Sequence, residues 1–417
     1  MTNTDCFSAT TPPTMSFDQA HAFISEQIQV ISCVNKVAIR SALGLYIAED
    51  VHSTINVPSH INSAMDGYAI NAKDIPVNAE ARLDVAGTSF AGKPLTLNIM
   101  PGQCARIMTG GVMPAGTDTV IMQEDVQRSG DTVIIQPGHQ PGQNVRLAGE
   151  DLAIGEIALK KGQKVMPAEL GILASLGLSE VKVYRRLRVA FFSTGDELRS
   201  IGDTLGDGDI YDSNRYSLYG MLTRLGFDVL DMGVVADCKE DIERAFSDAA
   251  DNADIIITSG GVSVGDADFV KETLNTMGEV KFWKVAMKPG RPLAFGKVKN
   301  AFFFGLPGNP VAVMVTFYQF VQKALLTIAG AQTKPRLQLQ LPCTSAFLRK
   351  TPGRTEFIRG QITTDDTGRM SVASTGKQGS GILHSMSAAN CFIVLKHDDG
   401  IVNVGDMVHV EPFDGFI

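Results

Sequence analysis

The sequence predicts a multidomain protein of α/β and β type, built around a doubly wound α/β domain at residues 187–330. Three observations predict it. Strand-like and helix-like patterns alternate from Leu187 to Gly330, as in parallel strands joined by crossover helices. Residues 51–150 are rich in Gly, Pro, Val and Thr, with short alternating runs between turn signals, as in a compact β domain. Residues 331–417 return to β-type patterning and predict a small all-β domain. A chain of 417 residues exceeds what one core serves, and about two to four domains are expected.

The elements follow in order. From Phe17 to Ala48 apolar residues recur at about every third or fourth place, a helical pattern. Thr132–Gln136 alternates as a strand. Leu152–Val183 holds a strand-like piece and a helix, Pro167–Leu176, with proline in its first turn and Gly177 as its cap. In the α/β segment a strand, Arg188–Ser193, leads to the loop Thr194–Glu197. A helix from about Asn214 carries Leu218, Met221, Leu222 and Leu225 and closes at Gly226. The strand Asp228–Val235 ends at Asp237, and the next helix presents Ile242, Ala245, Phe246 and Ala249 on one face. The strand Asp254–Thr258 runs into Ser259–Asp266, followed by a helix with Phe269, Val270, Thr273, Leu274 and Met277. Strands are expected at Phe282–Met287, Leu293–Lys297 and Ala301–Phe304, and a last helix begins at Asn309-Pro310. Cys391–Leu395 and Val408–Val410 read as strands of the final domain.

Bulk properties exclude several classes. A net charge of −8 argues against a general nucleic-acid binder, while leaving room for a local cationic pocket. The cysteines Cys6, Cys33, Cys104, Cys238, Cys343 and Cys391 form no C-x-x-C pair. They read as reduced thiols, with no zinc finger or disulfide framework. The histidines show no metal-ligand spacing. Met1–Thr14 lacks the basic start and apolar run of a secretory signal and reads as a disordered leader. Ala301–Ile328 is the most apolar stretch, but Pro307–Pro310 interrupt it and Gln319, Gln322 and Lys323 follow. A membrane span needs about 20 nearly unbroken apolar residues, so a soluble protein is expected.

In open α/β sheets, ligands bind beyond the carboxyl ends of the strands. Thr194–Glu197, Asp237, Ser259–Asp266 and Gly305–Pro310 follow strands there, and Lys288–Pro292 joins two strands. In the loop Ser259-Gly260-Gly261-Val262-Ser263-Val264-Gly265, glycine lets the backbone approach a phosphate at a helix N-terminus. The loop matches neither the dinucleotide nor the Walker pattern; read alone, it is equally a tight strand-to-helix turn. Asp196, Glu197, Asp237, Asp266 and Asp268 share these loops. Bare carboxylates would repel a phosphate, and a divalent cation such as Mg²⁺ resolves the conflict. Each alone also fits a cap or a solvated charge, Asp266 above all. Lys284, Lys288 and Arg291 offer cations to a tetrahedral oxyanion; the alternative is a surface Lys284 and a turn stiffened by Pro289 and Pro292. Asn62–Tyr68, Arg106–Gly110 and Asn144–Asp151 read as turns when taken singly. Arg185, Arg186 and Arg188 read as a solvated strand edge, and Trp283 as core.

Taken together, Asn62-Ser-Ala-Met-Asp-Gly-Tyr68, Arg106-Ile-Met-Thr-Gly110, Gly149-Glu-Asp151, Ser193-Thr-Gly-Asp-Glu197, Ser259–Gly265, Lys288-Pro-Gly290 and Gly305-Leu-Pro-Gly-Asn-Pro310 form an ordered set. Over roughly Met15–Phe413 the chain resembles the MoeA family of bacterial molybdopterin molybdenumtransferases and the related E domain of gephyrin. The resemblance implies a cytoplasmic, elongated homodimer with four domains per subunit. Residues 1–50 and 151–186 would form a discontinuous N-terminal domain, with the β domain 51–150 inserted into it. Residues 187–330 would form the molybdopterin-binding-like domain and 331–417 a small β-barrel. The active site would lie between the α/β domain of one subunit and the inserted domain of the other, with Asp66, Thr109, Arg146 and Asp151 acting in trans.

The implied reaction inserts molybdate into adenylated molybdopterin and releases AMP. In that picture Ser259, Gly260, Gly261, Ser263 and Gly265, with Pro307 and Pro310, hold the nucleotide phosphate region. Asp196, Glu197, Asp237 and Asp268 hold Mg²⁺ or another divalent cation, or orient water. Lys284, Lys288 and Arg291 attract the anions, and Arg354 and Ser380 match positions that contact molybdate. The adenylyltransferase that supplies the substrate is an expected partner. Two rivals are adenylyl transfer, which the α/β domain alone would suit, and a non-catalytic scaffold. Two departures from the family stand out: Leu147 and Ala148 replace basic residues common after Arg146, and Arg291 replaces lysine.

Overall fold

The computed structural model describes residues 14–261, 269–332, 335–345, 347–348 and 353–413. The expected leader up to Pro13, together with Ser263, Gly265, Asp266 and Asp268, lies outside the described residues. The chain divides into two compact units, the described parts of Met1–Val34 with Tyr184–Ile417, and Asn35–Val183.

The first unit carries the α/β sheet. Its strands are β1 (Thr14–Met15), β2 (Arg188–Thr194), β3 (Asp228–Val235), β4 (Ile255–Ser259), β5 (Gly278–Val285), β6 (Pro292–Val298) and β7 (Ala301–Leu306), in the order β1-β5-β6-β7-β4-β2-β3. Strands β3, β2, β4 and β7 run parallel, whereas β6 is antiparallel to both neighbours. Three consecutive strands without a helix between them leave only hairpin connections, which force that reversal. Every residue of β4 and β7 is buried, as expected for central strands covered on both faces.

Helices α3 (Lys239–Asn252) and α4 (Phe269–Met277) cover one face. Ile242, Phe246, Val270 and Leu274 pack there against Phe192, Ile256 and Phe303. The other face carries α2 (Ser213–Arg224), which contacts α5 (Pro310–Thr316). Helix α5 continues through a π turn, Phe317–Val321, into Gln322–Ile328. By length and composition Pro310–Ile328 would suit a membrane span, yet 67% of its apolar window is buried inside the protein. Buried Gln319 donates to Glu411 at 3.0 Å, which marks a core helix.

The predicted helix Phe17–Ala48 is shorter than expected. Helix α1 (Phe17–Gln27) starts at a reciprocal Ser16–Gln19 capping box, and Val34–Ala38 is a strand. Phe17 lies 5.2 Å from Phe320 and 5.3 Å from Phe357, and Phe23 lies 4.8 Å from Trp283. These aromatic contacts fasten α1 to the α/β and C-terminal parts of the chain. Arg185 also differs from a solvated edge. It grips Asp254 with two bonds, at 2.6 and 2.7 Å.

The C-terminal strands close a small barrel. Met370–Ser374 pairs with Thr355–Thr364, which pairs with Cys391–Leu395, then Met407–Pro412, then Leu339–Pro342. The bridge Cys343↔Val372 returns to the first strand. Ile358, Val372, Ile393 and Val410 fill the interior.

In the second unit, a six-stranded sheet is formed by residues 67–135. A separate core joins Ala42 and Ile47 to Leu159, Val165, Leu173, Val181 and Val183, residues from both sides of that sheet in the sequence.

Candidate functional site

The carboxyl ends of β2, β4 and β7 open into a cavity of about 710 Å³. Strand β2 delivers Thr194, Gly195 and Glu197, β3 leads to Asp237, β4 delivers Gly260 and Gly261, and β7 delivers Pro307, Gly308 and Asn309. The turn Lys288–Pro292 forms another side, and Arg354, Gln378, Gly379 and Ser380 come from the barrel domain. The cavity therefore gathers nine of the predicted residues: Glu197, Asp237, Gly260, Gly261, Lys288, Arg291, Pro307, Arg354 and Ser380.

Two glycines are required by local geometry. Gly260 has φ +91°, and a Cβ there would sit 2.6 Å from the Thr194 carbonyl oxygen. Gly290 has φ +92°, and its Cβ would meet Thr316 Oγ1 at 2.4 Å. Both turns thus bring backbone to the cavity wall where a side chain would block it.

Other predicted residues lie outside the lining. Ser259 is buried behind the glycine turn and accepts from Asn214 Nδ2 at 2.9 Å. Pro310 begins α5. Lys284 is half-buried on β5, in register with cavity-lining Pro292. Asp196 is exposed on the rim, and its carbonyl accepts from Arg199 at 2.7 Å.

The carboxylates interact. Burial, followed by the nearby charges of Asp196 and Glu197, holds the Asp237 carboxyl above the ordinary carboxylate range. Crowded like charges of this kind favour a cation among them. Among the described residues, no three His, Cys, Asp or Glu side chains stand ready as a metal-binding group. These carboxylates fit a hard cation that takes its remaining ligands from phosphate and water.

In the second unit, three motif segments that read singly as turns come together. Ser63 N–H donates to Gly111 O, Gly110 N–H to Ser63 O, and Ala64 N–H to Asn144 O. Arg146 is in register with Asn62. Thr109 donates to Asp66 Oδ1 from both its amide and its hydroxyl, each at 2.7 Å. The Thr109 hydroxyl bond, then its amide bond, holds the Asp66 carboxyl below its usual range. Asp151 N–H donates to Val57 O. Asp66, Thr109, Arg146 and Asp151 are all exposed.

Three supporting residues escaped the sequence reading. Asn214 Nδ2 bonds Ser259 Oγ and the Gly308 carbonyl. Glu356 pairs with Lys288. Arg359 is 1% exposed; its Nη2 donates to Gly379 O and its Nε to Ser385 Oγ, both at 3.0 Å. The Gln378 amide also exchanges hydrogen bonds with the Arg359 backbone. Glu356 and Arg359 show in the sequence only as a charge at each end of the apolar pair Phe357-Ile358, and Asn214 only as the start of a helical pattern.

The fold and this cavity define a doubly wound α/β ligand-binding domain joined to a small β-barrel, with cations and carboxylates sharing one site. Comparison with known proteins narrows the class. Residues 15–177 match the MoeA N-terminal region (domain I and II), 190–327 a probable molybdopterin binding domain, and 344–413 the MoeA C-terminal region (domain IV). A Haemophilus influenzae molybdopterin molybdenumtransferase is 43% identical over 96% of this chain and 99% of its own length. A Nostoc molybdopterin molybdenumtransferase is 42% identical over 70% of this chain and 69% of its own. The crystal structure of the Pyrococcus horikoshii molybdopterin biosynthesis MoeA protein superposes with a TM-score of 0.84 at 28% identity, covering 96% of this chain and all of that one. The chain belongs to the MoeA family.

Proposed function

We infer that this chain is a molybdopterin molybdenumtransferase, which inserts molybdate into adenylated molybdopterin and releases AMP. One observation in the structure carries the reading: Lys288, Arg291, Arg354 and Ser380 share a single cavity with Gly260, Gly261, Glu197 and Asp237. A tetrahedral oxyanion requires cations and several donors, and a phosphate suits a glycine turn beyond a parallel strand. The cavity offers both. The 43% identity to the Haemophilus enzyme supports the same reading.

In this reading Gly260 and Gly261 bring backbone close to the nucleotide phosphate, while Lys288, Arg291 and Arg354 draw molybdate in. Ser380 orients molybdate by its hydroxyl. Asp196, Glu197 and Asp237, with Asp268, would hold Mg²⁺ or another divalent cation. Such an ion would neutralise phosphate charge. Glu197 and Asp237 would also orient the water that releases AMP. The test is a purified assay with adenylated molybdopterin, molybdate and Mg²⁺. AMP and molybdenum cofactor should form together, and Asp237→Ala should form neither. Net adenylation of molybdopterin from ATP would instead favour adenylyl transfer.

We further propose a cytoplasmic homodimer, in which Asp66, Thr109, Arg146 and Asp151 serve the site of a second copy. The test mixes two inactive variants, Asp66→Asn and Asp237→Asn. Shared sites give partial recovery of activity in mixed dimers, and separate sites give none.

A further inference from the structure

Lys288 does not stand alone in the cavity wall. Its Nζ lies 3.3 Å from Glu356 Oε2. The contact is built into the backbone, because Met287–Lys288 pairs in parallel with Thr355–Glu356 and brings Lys288 opposite Glu356. Burial is unequal: the Glu356 side chain is 4% exposed and that of Lys288 is 47% exposed. The carboxylate is therefore the fixed member, and the ammonium is the member free to turn toward the cavity it lines. An ammonium carries three donors on a flexible stem. A buried carboxylate behind it lowers the positive potential that an arriving anion meets.

We propose that Glu356 is the resident counter-ion of the cavity. It holds Lys288 in the absence of an oxyanion and competes with the oxyanion for the same ammonium, which weakens binding and speeds release. The inference rests on reading the cavity as an oxyanion site, and it deepens that reading by naming what sets the affinity. A residue that only braced the strand junction would weaken anion binding when altered. A competing counter-ion strengthens it.

The test is calorimetric titration of the full chain with sodium molybdate, comparing wild type with Glu356→Gln and checking folding by thermal melting. The variant should bind molybdate about tenfold more tightly, the order expected for removing one charge a few ångströms away. Unchanged or weaker binding by a folded variant overturns the proposal. Should Glu356→Gln fail to fold, wild-type crystals soaked in molybdate decide. Lys288 Nζ moved off Glu356 and onto the anion supports the proposal; Lys288 still on Glu356, with the anion bound elsewhere, overturns it. A wild type that binds no molybdate removes the oxyanion reading and this inference together. A wild type that binds, beside a variant that binds no better, removes the inference alone.

Discussion

The side chain of Asn214 donates to the Gly308 carbonyl at 2.6 Å. The same Nδ2 reaches Ser259 Oγ at 2.9 Å. One buried amide at the start of α2 thus ties the end of β4 to the loop leaving β7, and both segments serve the cavity. Because Ser259 Oγ accepts from Asn214, its own proton is left to point elsewhere.

Asn214→Ala should loosen this rim. Leaving buried partners unbonded costs about 1–3 kcal/mol of stability. AMP affinity should fall about thirtyfold for a loss in the middle of that range, while molybdate affinity changes less, since Arg354 and Ser380 come from another domain. Calorimetry with each ligand separately checks the difference. Equal loss for both ligands would contradict a local role.

Asp237 should trade stability for function. Its raised pKa means that the folded chain binds this proton more tightly than the unfolded chain does. Its contribution is therefore favourable at low pH and is lost as pH rises through the raised value. Asp237→Asn should be at least as stable as wild type near neutral pH, with the difference closing in acid, yet inactive. Thermal melts from about pH 4 to about pH 8 span the carboxylate range. An asparagine variant less stable at neutral pH would refute this.

Asp66 should respond in the opposite direction to the loss of one neighbour. Thr109→Val removes the hydroxyl donor and keeps the amide donor. The Asp66 carboxyl should then rise toward its ordinary value, as followed by carbon NMR of the labelled side chain. No change would exonerate the hydroxyl.

The fold was legible where pattern and burial coincide. Ile242, Ala245, Phe246 and Ala249 were readable because a helix face that meets a core repeats at helical spacing, and all four are buried. The meander β5-β6-β7 was readable as three strands but not as a reversal inside the sheet, because strand direction follows from the connections. Helix α1 ends at Gln27, well short of the helical pattern that runs on to Ala48. Val34–Ala38 shows no burial alternation, being exposed at four of its five positions, so no strand period marks it. Lys288, Arg291 and Glu197 were legible because glycine or proline punctuates their loops, and Asp237 because it stands just past the end of a strand. Asn214, Glu356 and Arg359 were not. They lie inside regular elements, and their roles arise from partners 94, 68 and 20 positions away in the chain.

Arg359 offers a fourth test. Burial lowers its pKa to about 10, so it remains charged at neutral pH. Arg359→Lys keeps the charge and loses the fork that holds Gly379 and Ser385. Molybdate affinity should drop about tenfold to a hundredfold, the range for one lost bond to a charged donor of about 1.5–3 kcal/mol, and amides in the Gln378–Gly381 loop should exchange faster. Hydrogen exchange and calorimetry together check it. Unaltered exchange in that loop would contradict the assignment.

In the proposed function, one cavity at the sheet's carboxyl edge holds nucleotide and oxyanion together. Crystals soaked with AMP, Mg²⁺ and molybdate test it through the anomalous signal of molybdenum. Molybdenum is expected beside Lys288, Arg291, Arg354 and Ser380, with the AMP phosphate at Gly260 and Gly261. Molybdenum or AMP bound instead in the separate cavity at Tyr318, Arg336 and Phe413 would contradict it.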